Sequence, residues 1–158
     1  MEYIISNKVA GLQGSTIREM FKMLADPQMI SFAGGAPAPE TFPVDELAKI
    51  AEDILKNEGR IALQYGITEG QPALSAFTRE RAEHNALLKE GDDMIITSGG
   101  QQGIDLTAKV LLNEGDTVIC ENPSFIGALN SFRSYGAKLC GIACEEDGMD
   151  MDALEQVL

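Results

Sequence analysis

Met94-Ile95-Ile96-Thr97-Ser98-Gly99-Gly100-Gln101-Gln102-Gly103 decides the fold. A short apolar run meets two adjacent glycines, and Gln101 to Leu112 then continues as a segment that is apolar nearly all round. This is the pattern of a strand, a tight turn and a helix. The same alternation continues downstream. Thr117 to Cys120 reads as a second strand, Ser124 to Ser134 as a helix and Lys138 to Cys144 as a third strand, and Asp150 begins another helix. Strands alternating with helices at this rhythm predict βαβ units, an α/β class and a parallel sheet. Parallel sheets are covered on both faces and usually have more than three strands. The chain stops at Leu158, just after that last helix begins, so the sequence is expected to be the front part of a larger protein.

Upstream, Ser15-Thr16-Ile17-Arg18-Glu19 reads as a capped helix start that ends at Asp26-Pro27. Gly34-Gly35-Ala36-Pro37-Ala38-Pro39 forbids helix or central strand and predicts a long loop. Pro43 is expected at the first position of a helix whose apolar residues Leu47, Ile50, Ala51, Ile54 and Leu55 share one face, with Gly59 as its left-handed stop. Residues 61–71 form a second glycine-punctuated loop. Pro72 opens another helix through Leu74, Phe77 and Ala82, fading near Gly91.

The composition excludes several functions. Lys and Arg number 12 against 25 Asp and Glu in 158 residues, a formal net charge of −13. A chain this acidic is repelled by nucleic acid and by anionic membrane surfaces. No apolar run approaches the roughly 20 residues of a membrane span, and Met1 to Ala10 lacks the apolar core of a signal peptide. Three cysteines without metal-site spacing fit a reducing cytoplasm, and all three are expected to pack in the core, with Cys140 and Cys144 on one face of a strand. His84, the single histidine, falls on the polar side of a helix, so neither a metal site nor a histidine-based triad can be assembled.

Ligands of open parallel sheets bind beyond the carboxyl ends of the strands, which selects three places. At Thr97 to Gly103, glycine amides and a helix N-terminus together suit a phosphate. The plainer alternative is a tight turn in which Gly103 only lets helix and strand pack closely. A dinucleotide fingerprint is nearly met there too, with Ser98, Gly100 and Gly103 in the glycine places and Glu121 as the ribose-binding acid. That reading leaves residues 15–71 unexplained. At the second place, Glu121 to Phe125, the Phe125 ring could stack on a flat heteroaromatic ligand or pack down as core. The third, Glu145-Glu146-Asp147-Gly148, reads as a solvated turn without calcium-loop spacing. Arg18 is either a carboxylate-binding guanidinium or a surface charge.

Four segments together, ISFAGGAPAPETFP (30–43), LQYGITEGQPALSA (63–76), IITSGGQQGID (95–105) and GDTVICENPSFIGALNSF (115–132), resemble the class I/II aminotransferases of pyridoxal-phosphate fold type I. The likeness extends over residues 12–158 and is strongest to the 2-aminoadipate and multisubstrate enzymes and to the aminotransferase domain of MocR-type regulators. It implies a three-layer α/β/α large domain with a mostly parallel sheet, incomplete in this chain. Residues 1–45 would be an N-terminal arm, helix and substrate-side loop with small-domain and dimer contacts, and residues 46–158 the first part of the cofactor-binding large domain. It implies pyridoxal 5′-phosphate as cofactor, with Gly99, Gly100 and Gln101 in its phosphate cup and Phe125, commonly Tyr in the family, against its ring. The family often has Ser where Gly100 stands. Tyr65 would reach the phosphate of the neighbouring subunit in a homodimer with shared sites. Gly35 would line the pocket for the substrate's α-carboxylate, and Arg18 would contact a distal substrate carboxylate.

The resemblance also implies what is absent. Transamination needs a lysine that bonds the cofactor and moves the proton, and an acid on the pyridine nitrogen. Lys8, Lys22, Lys49, Lys56, Lys89, Lys109 and Lys138 are the only lysines, and none follows a strand at its carboxyl end. The family's catalytic lysine is expected beyond residue 158, which leaves no catalytic residue in this chain and makes it inactive in isolation. The full-length protein is expected to be a cytoplasmic aminotransferase of amino-acid biosynthesis that interconverts α-amino acids and 2-oxo acids, with 2-oxoglutarate as acceptor. The rivals are a Rossmann-like nucleotide-binding module and the effector domain of a MocR-type regulator, although the short N-terminus leaves little room for a winged helix.

Overall fold

The computed structural model describes residues 4–6, 8 and 37–158. The expected helix from Ser15, with Arg18 and Gly35, lies outside the described residues. The chain divides into two compact units, one of Gly14–Ile96 and one of Met1–Gln13 with Thr97–Leu158.

In the first unit a 3-10 turn at Pro39–Thr41 leads into α1 (Val44–Ala62), with Pro43 at the N-cap rather than one residue inside. Asp45 and Glu46 sit in the first turn and Arg60 in the last, which complements the helix dipole. The helix does not stop at Gly59. One glycine weakens a helix by about 1 kcal/mol but does not end it, and the chain continues to Ala62, where Leu63 N–H closes onto Gly59 O at 3.0 Å. The expected apolar face forms, yet Leu47, Ile50 and Leu55 are all more than half exposed.

Helix α2 (Pro72–His84) begins with Pro72 in its first turn and Gln71 as N-cap, the Gln71 side chain accepting from Leu74 N–H at 2.7 Å. It ends before Gly91, because Ala86 turns to φ +54° and Leu87 N–H reaches back to Ala82 O at 2.9 Å. Alanine seldom takes that conformation, so no residue type signalled this stop. His84 is exposed, as its position on the polar side of the helix predicts.

Met94 to Thr97 belongs to no sheet among the described residues, contrary to the strand expected there. A strand exists only when a neighbour completes its ladder, and among the described residues the segment's backbone bond to a distant residue is Ile96 N–H to Glu69 O at 2.9 Å. Gly70, beside that contact, has φ +116°, and a Cβ there would stand 2.6 Å from Ile96 Cγ1.

The second unit contains α3 (Gly100–Leu111), β1 (Thr117–Asn122), α4 (Ile126–Ser134), β2 (Lys138–Glu145), β3 (Gly148–Met149) and α5 (Met151–Val157). Strands β1 and β2 are parallel, in register from Thr117 opposite Lys138 to Asn122 opposite Ala143, with α4 as the crossover. The sheet order is β1-β2-β3, and β3 is antiparallel to β2, an element absent from the sequence reading. Glu146 and Asp147 form a two-residue turn between Glu145 and its partner Gly148, which takes φ +142°. Asp150 caps α5 by accepting from Ala153 N–H at 2.9 Å.

The buried apolar residues among those described are Ala108 of α3, 2% exposed, and Ile142 of β2, 4% exposed. Gln101, Gln102, Asp105, Thr107 and Lys109 interrupt the apolar surface expected for α3, and Val110 and Leu111 remain exposed. Cys120 and Cys140 are half-buried, whereas Cys144 is exposed because it lies in the part of β2 that runs past β1 into the hairpin. The expectation of core packing fails for Cys144.

Gly70→Ala forces both a positive φ and a collision with Ile96, and is expected to destabilise the protein by about 1–3 kcal/mol. A lowered urea midpoint with an unchanged slope checks this.

Candidate functional site

The site starts from the backbone of one residue. Gly99, the N-cap of α3, has φ +83° and ψ 167°, a combination that is essentially restricted to glycine. It supplies no side chain to cap the helix. The first N–H groups of an α-helix have no partner within the helix, so those of Gly100, Gln101 and Gln102 are left to an outside acceptor. The rest of the turn is held by its own chain. Gly99 N–H bonds Thr97 O at 2.9 Å, Thr97 Oγ1 donates to Gly99 O at 3.1 Å, and the Gln102 amide oxygen takes Ser98 N–H.

Among the described residues, nothing lies within 4 Å of where a Cβ on Gly99 or Gly100 would stand. Open amides at the positive end of a helix dipole suit a phosphate dianion. A Cβ on Gly103 would meet only Thr97 Oγ1 at 3.6 Å, an ordinary contact. Close helix packing therefore does not account for the glycines of this turn.

Phe125 is the N-cap of α4, and its ring is 61% exposed, not packed down as core. The Gln101 amide crosses from α3 to α4, donating to Gly127 O at 3.1 Å and Ser131 Oγ at 2.9 Å. A Cβ on Gly127 would collide with Gln101 Oε1 and stand 2.6 Å from the Phe125 ring. Ring and amide thus converge on one glycine, which brings Gly99, Gly100, Gln101 and Phe125 together. Sequence reasoning missed Gly127 and Ser131. The spacing of Gly127, one turn before Ser131 and two residues after the aromatic, is the only trace they leave. Tyr65 belongs to the other unit, in the loop after α1, and is 99% exposed. Glu145 to Asp147 is the exposed turn expected. Of the lysines, Lys49 and Lys56 lie on α1 and Lys109 on α3, while Lys138 opens β2.

A helix N-terminus without a side-chain cap beside an exposed aromatic ring, ahead of a parallel βαβ unit, is an arrangement that suits a phosphate-bearing ligand. The chain belongs to the aminotransferase class I and II family, which it matches over residues 27–158. That match takes in much of the upstream region the dinucleotide reading left unexplained.

The chain is 45% identical over 147 residues to the 2-aminoadipate transaminase of Thermus thermophilus, covering 93% of this chain and 36% of that protein. Among solved structures it is similar to kynurenine aminotransferase of Pyrococcus horikoshii, with TM-score 0.87, 34% identity and coverage of 98% of this chain and 38% of that one. It is also similar to the α-aminoadipate aminotransferase of Thermus thermophilus complexed with N-(5′-phosphopyridoxyl)-L-leucine, with TM-score 0.82 and 43% identity. That likeness covers 97% of this chain and 37% of that one. The fold is therefore that of the type I pyridoxal-phosphate transferases, and the chain spans less than two-fifths of the length of these relatives.

Away from the cradle, Tyr135 after α4 donates its phenol to Asp105 Oδ2 of α3 at 3.3 Å. Desolvation, then the charge of Asp105 and that hydrogen bond, raise the Tyr135 pKa above its ordinary 10.0. The folded state holds this proton more tightly than the unfolded chain, so stability falls as pH rises past the ordinary tyrosine value. An ultraviolet titration of the three tyrosines should show one late phenol, which Tyr135→Phe removes; a late step that survives the substitution contradicts the pairing.

Proposed function

We propose that the full-length protein is a pyridoxal 5′-phosphate-dependent aminotransferase. It moves an amino group between an α-amino acid and a 2-oxo acid, with 2-oxoglutarate as amino acceptor, and this chain supplies the cofactor's phosphate cradle and ring wall. The observation that carries the reading is the Gly99 turn, whose open amides stand beside an exposed Phe125. The phosphopyridoxyl ligand of the similar Thermus enzyme supports it.

The bound cofactor would supply the electron-withdrawing ring that lets an amino acid release its α-proton. The backbone amides of Gly100 and Gln101 hold the phosphate, and the helix dipole favours its charge. Phe125 would supply an aromatic face for the heterocycle and exclude water there. Where the family often has a serine, Gly100 offers no hydroxyl, so this cradle relies on backbone donors.

Tyr65 serves the phosphate of a second subunit in a homodimer, a role that its exposure permits. Gly35 lines the α-carboxylate pocket and Arg18 meets a distal substrate carboxylate. Residues 1–45 act as arm and substrate-side loop, and residues 46–158 begin the large domain. The lysine that bonds the cofactor lies outside residues 1–158, so the isolated chain is inactive. The enzyme works in the cytoplasm, in amino-acid biosynthesis. Its free cysteines support that location, and among the described residues no helix is long and apolar enough to cross a membrane.

Titrating the full-length apoprotein with pyridoxal phosphate and with pyridoxal tests the cradle. Hydrogen bonds to a charged group contribute about 1.5–3 kcal/mol each, so the phosphate ester should bind at least about tenfold more tightly than the alcohol. Phe125→Ala should weaken the phosphate ester about tenfold through the lost stack. Gly100→Ser, with open space for its side chain, should strengthen it several-fold. Equal affinity for both ligands contradicts the proposal.

A further inference from the structure

Resting on that reading of the cradle, the geometry points to Gly127 and Ser131 as positioning residues that set the Phe125 ring through the Gln101 amide. The Gln101 backbone N–H belongs to the phosphate turn, but its side chain leaves that turn and ends on α4. There it donates one hydrogen to Gly127 O at 3.1 Å and one to Ser131 Oγ at 2.9 Å. Two N–H donors on one amide nitrogen are thus both used.

Ser131 is 7% exposed, and its backbone oxygen in turn accepts from Ser134 Oγ at 2.7 Å. The far end of this latch is therefore anchored in the interior, while the near end is an exposed turn. Between them, Gly127 leaves the space that two side chains share. A methyl group there would overlap Gln101 Oε1 and stand 2.6 Å from Cε1 and Cζ of Phe125. That approach is closer than packed carbon atoms tolerate. Either the amide leaves its two acceptors or the ring swings off the helix, and both movements change the relation of the ring to the phosphate turn.

Gly127 and Ser131 are thus assigned to holding α3 and α4 in one register and the Phe125 ring at one height. They need not touch the cofactor to do so. A role confined to folding would make the Gly127 and Ser131 substitutions cost the same affinity with or without the Phe125 side chain, whereas a positioning role must vanish when the ring is gone.

The test is a double-mutant cycle on the full-length protein, read as the dissociation constant of pyridoxal phosphate, with the visible absorption band of the bound cofactor as second readout. Gly127→Ala should weaken binding about tenfold and shift the band when Phe125 is present, but change affinity less than about twofold in a Phe125→Ala background. Ser131→Ala, which removes one acceptor and adds no volume, should show the same pattern at about threefold, and it decides the matter if Gly127→Ala does not fold. Equal losses in both backgrounds, or no loss in either, overturn the positioning role while leaving the cradle intact. A wild-type protein that takes up no pyridoxal phosphate overturns the functional reading itself, and this inference with it.

Discussion

The central constraint is one backbone conformation. At φ +83° and ψ 167°, Gly99 turns the chain into α3 without a side-chain cap, and among the described residues nothing stands within 4 Å of a Cβ placed on Gly99 or Gly100. Any side chain at this position would be strained, and a capping serine or aspartate would compete for the same donors. The uncapped helix start is a local cost to stability that a bound anion would offset. The rest of the unit serves that turn. Gln102 and Thr97 fix its shape, Gln101 ties it to α4, and α4 carries Phe125 to its side.

The residues that build the site and those that build the fold overlap little. Ala108 and Ile142 hold α3 and β2 in place without approaching chemistry, while the cradle residues contribute mainly backbone. This division means that a side chain at Gly100 would leave the backbone amides in place. It also explains why the large apolar faces on α1 and α3 coexist with an ordered cradle, since the turn is held by bonds within a few residues of itself.

Much of this was legible in the sequence because the signals are local. Adjacent glycines before an apolar helix, Pro72 at a helix start and Asp150 as a cap each act within one turn of chain, and the corresponding elements formed. What escaped depends on partners or on unusual conformations. The Met94 to Thr97 strand needs a neighbour that the described residues do not supply. The α2 stop rests on an alanine at positive φ, and α1 ran through Gly59 because a single glycine does not break a long helix. The β3 hairpin is only two residues long and reversed direction where a parallel pattern was expected. At the site, the Gly99-Gly100 turn could be read from type and spacing, while the roles given to Gln101 and Phe125 rest on the family resemblance. The latch through Gly127 and Ser131 could not be read, because it depends on where a glutamine side chain ends, 26 and 30 residues away in sequence.

The most direct measurement is a crystal structure of the full-length protein grown with pyridoxal phosphate. The account predicts phosphorus density at the start of α3, with phosphate oxygens within hydrogen-bonding reach of Gly100 and Gln101 N–H and the pyridine ring parallel to Phe125. A phosphate bound elsewhere, with the α3 amides facing only solvent, would contradict it.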